Sequence, residues 1–160
     1  MLIRSAVDDD RRAVWEVVEP HIRAGETFAF PSDWSREEAL AYWFAPAHEV
    51  FVAEADGEVV GSYYLRANQI GAGDHVANAG YATSPAATGR GVARLMCAHS
   101  LEEAKRRGFA AMQFNIVVSS NARAVSLWQS FGFRIVGTLP GAFRHPSLGL
   151  VDAYVMWREL

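Results

Sequence analysis

The spacing of apolar residues changes period along the chain, and each change predicts an element. Leu2 to Ala6 reads as a short strand. Asp8 to Val18 carries Val14, Val17 and Val18 at helical spacing, with Asp8, Asp9 and Asp10 supplying an N-cap and favourable charge. Pro20 is expected to end that helix. Ser35-Arg36-Glu37-Glu38 reads as a capping box opening a second helix through Phe44. The period then falls to two: Val50 to Glu54 and Glu58 to Leu65 flank Asp56-Gly57, a pair that tolerates positive φ, which predicts a hairpin.

The second half alternates. His75 to Thr83 reads as a strand that runs into Gly89-Arg90-Gly91 and then a long helix, whose apolar positions are Val92, Leu95, Met96, Cys97, Leu101 and Ala104 and which Gly108 ends. Ala111 to Val117 is a strand, Asn121 caps a helix through Phe131, and Phe133 to Val136 with Val151 to Trp157 complete the sheet. The order βααβββαβαββ predicts an α/β (α+β) chain: a mixed sheet of about seven strands, about four helices on its faces, and one domain over residues 1–160.

Composition narrows the function classes. At 51% hydrophobic, 160 residues bury one substantial core. A net charge of -3 argues against general nucleic-acid or membrane-surface binding, both of which need a basic face. Cys97 is the one cysteine, so neither an internal disulfide nor a Cys-rich metal site can form, and no metal is expected. No apolar run approaches the ~20 residues of a membrane span, and a cytoplasmic protein is expected.

Thr88-Gly89-Arg90-Gly91-Val92-Ala93 stands between a strand end and a helix start. Unpaired N–H groups point outward there with the positive end of the dipole, and glycines let a pyrophosphate approach the backbone; Arg90 adds charge. A dinucleotide fingerprint would open its βαβ unit and place an acidic residue at the next strand end, whereas this turn follows a hairpin and the next strand ends at Val117.

The segment from Val76 to Met96 resembles the coenzyme motif of the GCN5-related N-acetyltransferase family, whose turn Gln/Arg-x-x-Gly-x-Gly/Ala is matched by Gly91 and Ala93, with Thr88 departing from its first position. The resemblance covers nearly the whole chain and implies acetyl-CoA as co-substrate. Backbone amides of residues 89 to 93 would hold the pyrophosphate, and Tyr81, Ala82 and Thr83 would pair with the pantetheine arm. Asn121 through Phe133 resembles the family's second motif, Asn-x-x-Ala-x-x-Leu/Phe-Tyr-x-x-x-Gly-Phe, which implies that Asn121 and Ala124 border the same arm. Trp128 stands where many relatives place a tyrosine that protonates the departing thiolate. Indole cannot transfer a proton near neutral pH. The thiolate then leaves unassisted, or Tyr81 or Ser126 substitutes, or the protein binds coenzyme without turnover; the first is favoured, because a thiol acidity near ~8.5 makes thiolate an acceptable leaving group.

On the acceptor side, Asn78 and Asn115 are unusual strand residues, and amides buried there need partners. Alternation puts Asn115 on the face of Gln113 and Val117. With Asn121 they resemble residues of proline-analogue (azetidine-2-carboxylate) N-acetyltransferases, which implies that Asn78 and Asn115 serve the acceptor carboxylate and the reacting centre. Glu26 to Pro31, with Phe28 and Phe30, resembles the acceptor loop of phosphinothricin-type acetyltransferases. His145, in a loop from Gly141 to Pro146, is a candidate to close over the acceptor. His75, His99, His145, Glu26 and Asp152 are all open as general bases. The expected partner is a small-molecule amine, an amino acid or analogue; a homodimer, a peptide acceptor and a noncatalytic coenzyme-binding module stay open.

Overall fold

The structure is a computed structural model that describes residues 1–160. Its elements are β1 (Leu2–Ser5), α1 (Arg11–Ala24), α2 (Arg36–Trp43), β2 (Glu49–Ala55), β3 (Glu58–Ala67), β4 (Val76–Thr83), α3 (Val92–Arg106), β5 (Ala111–Val118), α4 (Ala122–Ser130), β6 (Arg134–His145) and β7 (Gly149–Glu159). The order is the one the hydrophobic periods predict. A single seven-stranded sheet runs β1-β2-β3-β4-β5-β7-β6, antiparallel throughout except where β4 meets β5.

Strand alternation divides the core between the two sheet faces. Tyr63, Leu65, Ala77 and Ala79 pack with Met96, Cys97, Leu101 and Trp128 beneath α3 and α4. Val52, Tyr64 and Ala82 meet Val14, Val18, Ile22, Leu40 and Trp43 of α1 and α2. Ser35 accepts from the Glu38 amide while Glu38 reaches back to the Ser35 amide at 2.7 Å, the capping box that fixes the start of α2.

Three expectations are corrected. Pro20 lies inside α1, which continues to Ala24 and ends on Gly25. The missing Pro20 hydrogen bond is outweighed by Ile22, buried to 1% exposure two residues further on. Leu95 points outward rather than into the apolar stripe. The segment from Gly141 to His145 belongs to β6 and is not a loop. Pro140, which lacks an amide, is accommodated because β6 is an edge strand, and the register shift between Leu139 and Phe143 forms a bulge whose Gly141 amide donates to Asp152.

Candidate active site

The site begins where the sheet splits. β4 and β5 pair only through Val76 with Ala111 and Ala77 with Met112, and beyond that they part. A bulge on β5 widens the gap: Phe114 pairs with Met156 and Val117 with Tyr154, so an extra residue sits at Asn115–Ile116. The bulge breaks the alternation expected from sequence. Phe114 and Val117 both turn into the core, while Ile116 is exposed to the gap and Asn115 does not share the face of Val117.

The gap is a cleft of about 1170 Å³ reaching from the glycine turn to the loop after α1. Two hydrogen bonds, Asn68 N–H to Val76 O and Ser84 N–H to Val60 O, fix which β4 groups face β3. Residues between them alternate, so Ala79, Tyr81 and Thr83 present N–H and C=O to the cleft. A ligand lying there can pair with β4 as a missing strand would. Ala82 faces the other way and is buried against α1 and α2, so it does not border the cleft.

At one end, Gly89 and Gly91 adopt φ 82° and 80°, the left-handed conformation that side chains resist. They turn the chain into α3, whose first closed hydrogen bond is Leu95 N–H to Gly91 O. Amides of Val92, Ala93 and Arg94 precede it, without intrahelical acceptors and beside the cleft. Thr88, Gly89, Gly91, Val92 and Ala93 border this end as expected, but Arg90 does not. Its amide is spent on Ala87 O and its guanidinium lies 3.4 Å from Asp56. Arg94 supplies positive charge here and Arg123, in the first turn of α4, also lines the cleft; sequence reasoning missed both because each reads as an ordinary exposed helix residue.

α4 forms the opposite wall. Asn121 Oδ1 accepts from the Ala124 amide, so its cap role leaves the Nδ2 group unused, and Asn121, Ala124 and Trp128 all border the cleft. Trp128 is buried, packed against Tyr81 and Phe114 with ring centroids 5.0 and 5.1 Å apart. The Tyr81 hydroxyl is turned from the cleft toward Ser100 Oγ at 2.7 Å. Burial pushes its pKa well above the usual tyrosine value, so it holds its proton. Cys97 does not reach the cleft, and burial pushes its thiol up to about 12.

The other end is aromatic. Phe28 and Phe30 stack at 5.0 Å, Tyr42 meets Phe30 edge-on, and Tyr64 closes the floor. Gly80 makes this floor possible, since a Cβ there would lie 2.6 Å from the Tyr64 ring. Asn78 Nδ2 donates to Gln113 O across the split, and its Oδ1 accepts from Arg66 Nε. Asn115 Nδ2 donates to Asn68 Oδ1 and its Oδ1 accepts from Gln113. Each amide keeps a second hydrogen for a ligand.

Of the sequence-predicted acceptor residues, Phe28, Phe30, Asn78 and Asn115 meet here, and His145 does not. Its Nδ1 accepts from the Ser147 and Leu148 amides and caps the β6–β7 turn. None of the five candidate bases borders the cleft; His21 is the imidazole that does. Its Nε2–H donates to Thr83 O at 2.7 Å, which in the neutral ring leaves the lone pair on Nδ1. Sequence reasoning missed it because α1 was expected to stop at Pro20. No group of three His, Cys, Asp or Glu side chains is arranged to hold a metal ion.

The chain and its fold are matched in known proteins. The acetyltransferase (GNAT) family model matches residues 15–133. The chain belongs to this family. A solved GCN5-related N-acetyltransferase from Kribbella flavida is 42% identical, covers 99% of this chain and 97% of its own, and superposes with a TM-score of 0.93. The N-acetyltransferase aca1 of Schizosaccharomyces pombe is 28% identical over 84% of this chain and 72% of its own length. The yncA protein of Salmonella typhimurium, solved with its cofactor acetyl-CoA, shares the fold at 24% identity and a TM-score of 0.87, covering 100% of this chain and 94% of that one. The protein is thus an acetyltransferase of the GNAT type with a seven-stranded mixed sheet and four helices. None of its helices is long and apolar enough to cross a membrane.

Proposed function

We propose that the chain transfers acetyl from acetyl-CoA to the amine of a small molecule, an amino acid or amino-acid analogue, by direct attack and without an acyl-enzyme. The observation that carries this reading is one continuous cleft with amides and arginines at the turn, open strand edges along β4, and an aromatic chamber holding Asn78 and Asn115 at the far end. The turn fits a pyrophosphate and the β4 edge fits a pantetheine arm, so acetyl-CoA would present its thioester toward the chamber. The proline-analogue branch is the functional parallel we adopt, and a reducing cytoplasm is the compartment that suits the lone buried thiol.

The amine nitrogen bonds to the thioester carbonyl carbon, the C–S bond breaks, and coenzyme A leaves as thiolate. The remaining hydrogens of Asn78 and Asn115 are the side-chain donors on offer to the carbonyl oxygen. No Asp or Glu borders the cleft, so no carboxylate there stabilises an ammonium and the neighbouring Arg66 charge favours the neutral amine. With no carboxylate at hand and His21 at Thr83, about 16 Å along β4 from Asn78, the proton the amine loses passes to water. The thiolate departs without a protein acid, since Trp128 cannot supply a proton and Tyr81 is turned away.

The test is stoichiometric. Free thiol and acetylated product are quantified together across amino acids, polyamines and peptides. Equal amounts of both, with amino acids foremost, support the reading; acetyl-CoA binding without thiol release, or peptides foremost, overturns it.

A further inference from the structure

We infer that Arg66 forms an anion subsite that selects acceptors carrying a carboxylate next to the amine; this rests on the amine-acetylating reading above. Arg66 lies on β3 in register with Asn78 on β4. At ~3.3 Å per residue, that position is about 16 Å along β4 from Thr83, at the end of the cleft remote from the glycine turn. Arg94 serves the turn end; Arg66 borders the aromatic chamber and is not needed there for a phosphate.

The guanidinium is oriented but uncompensated. Its Nε is spent on Asn78 Oδ1 at 3.2 Å, which fixes the plane of the group. It enters none of the protein's ion pairs, and no Asp or Glu borders the cleft. Its two terminal NH2 groups have no protein acceptor, and their parallel N–H bonds match the two oxygens of a carboxylate. A half-buried cation between Tyr64 and the splayed strands costs desolvation that an anionic ligand offsets. The same cation repels polyamines and other polycationic amines. Phe28, Phe30 and Tyr42 then face the substituent of the acceptor, which favours an apolar side chain.

The experiment is a cycle in which wild type and Arg66→Gln are each assayed with L-leucine and L-leucinamide. The amide keeps the amine and side chain and removes the anion. Wild type should prefer L-leucine in kcat/KM, and Arg66→Gln should erase about tenfold to a hundredfold of that preference, mainly through KM, with the affinity for acetyl-CoA unchanged. Arg66→Lys, which keeps the charge and loses the fork, should retain part of it. Retained acetyl-CoA affinity and an unaltered melting curve confirm that the variants fold; should Arg66→Gln fail that check, the Arg66→Lys cycle decides, and an undiminished preference there overturns the subsite. Equal use of the two acceptors by wild type, or a preference that survives Arg66→Gln, overturns the subsite and leaves an acetyltransferase standing. Absence of turnover with every amine tested instead removes the reading on which the subsite depends, and the subsite with it.

Discussion

Replacing Gly91 separates backbone strain from charge at the turn. Gly91 has φ 80° and nothing within 4 Å of the place a Cβ would occupy. Gly91→Ala and Gly91→Glu therefore share one stability cost, the left-handed strain of about 1–2 kcal/mol. They differ in charge. A glutamate carboxylate about 6 Å from a pyrophosphate, at an effective dielectric of about 40, is repelled by about 1.4 kcal/mol per phosphate charge, or about 3 kcal/mol for two. Salt at 0.15 M, with a screening length of about 8 Å, halves this. Isothermal titration with acetyl-CoA should thus find Gly91→Glu weaker than Gly91→Ala by about a hundredfold at low salt and about tenfold at physiological salt, while the two melt together. Equal affinities of the two variants at both salt concentrations would refute the placement of the pyrophosphate.

Other expectations follow from the same geometry. Cys97→Ala should leave kcat within about twofold and cost roughly 1 kcal/mol in urea unfolding, because the thiol is buried away from the cleft; loss of turnover with acetyl-CoA binding intact would restore an acyl-enzyme. Trp128→Phe should leave kcat within a few-fold, since the indole N–H is no acid, whereas a drop of about 100-fold at unchanged acetyl-CoA affinity would show that this N–H takes part. The Arg4 guanidinium, donating to both Asp10 oxygens at 2.7 and 2.9 Å, holds that carboxyl below its usual range. A depressed folded value stabilises fully above the unfolded pKa, about 3.9, and the contribution is lost as pH falls through the folded value. Asp10→Asn should flatten the stability curve below about pH 4, and an unchanged acid limb would show that the pair contributes nothing.

The parts of this fold and site written in local chemistry were legible in the sequence. Asp56-Gly57, Ser35 with Glu38, Asn121 as a cap and the Gly89–Gly91 turn each state their own conformation within a few residues, and the structure places them so. The parts created by long-range packing were not. Whether α1 survives Pro20 depends on what Ile22 buries against, and only that survival carries His21 to Thr83. The β5 bulge leaves no local mark in Phe114-Asn115-Ile116-Val117, so the faces of Asn115 and Val117 were misassigned. The loop expected from Gly141 to Pro146 around His145 is instead mostly strand, because an edge strand absorbs Pro140 and the bulge at Gly141. Arg66 and Tyr64 became candidates only once the register with β4 set them beside Asn78 and Gly80.

The central claim is that both substrates occupy one cleft and the acetyl group passes directly between them. Initial rates with acetyl-CoA and the best amino-acid acceptor both varied test it most directly. Direct transfer within one cleft gives intersecting double-reciprocal lines, no thiol burst when acetyl-CoA is mixed with enzyme alone, and thiol release only when acceptor is present. Parallel lines with a stoichiometric thiol burst and acetyl retained on the protein would contradict it.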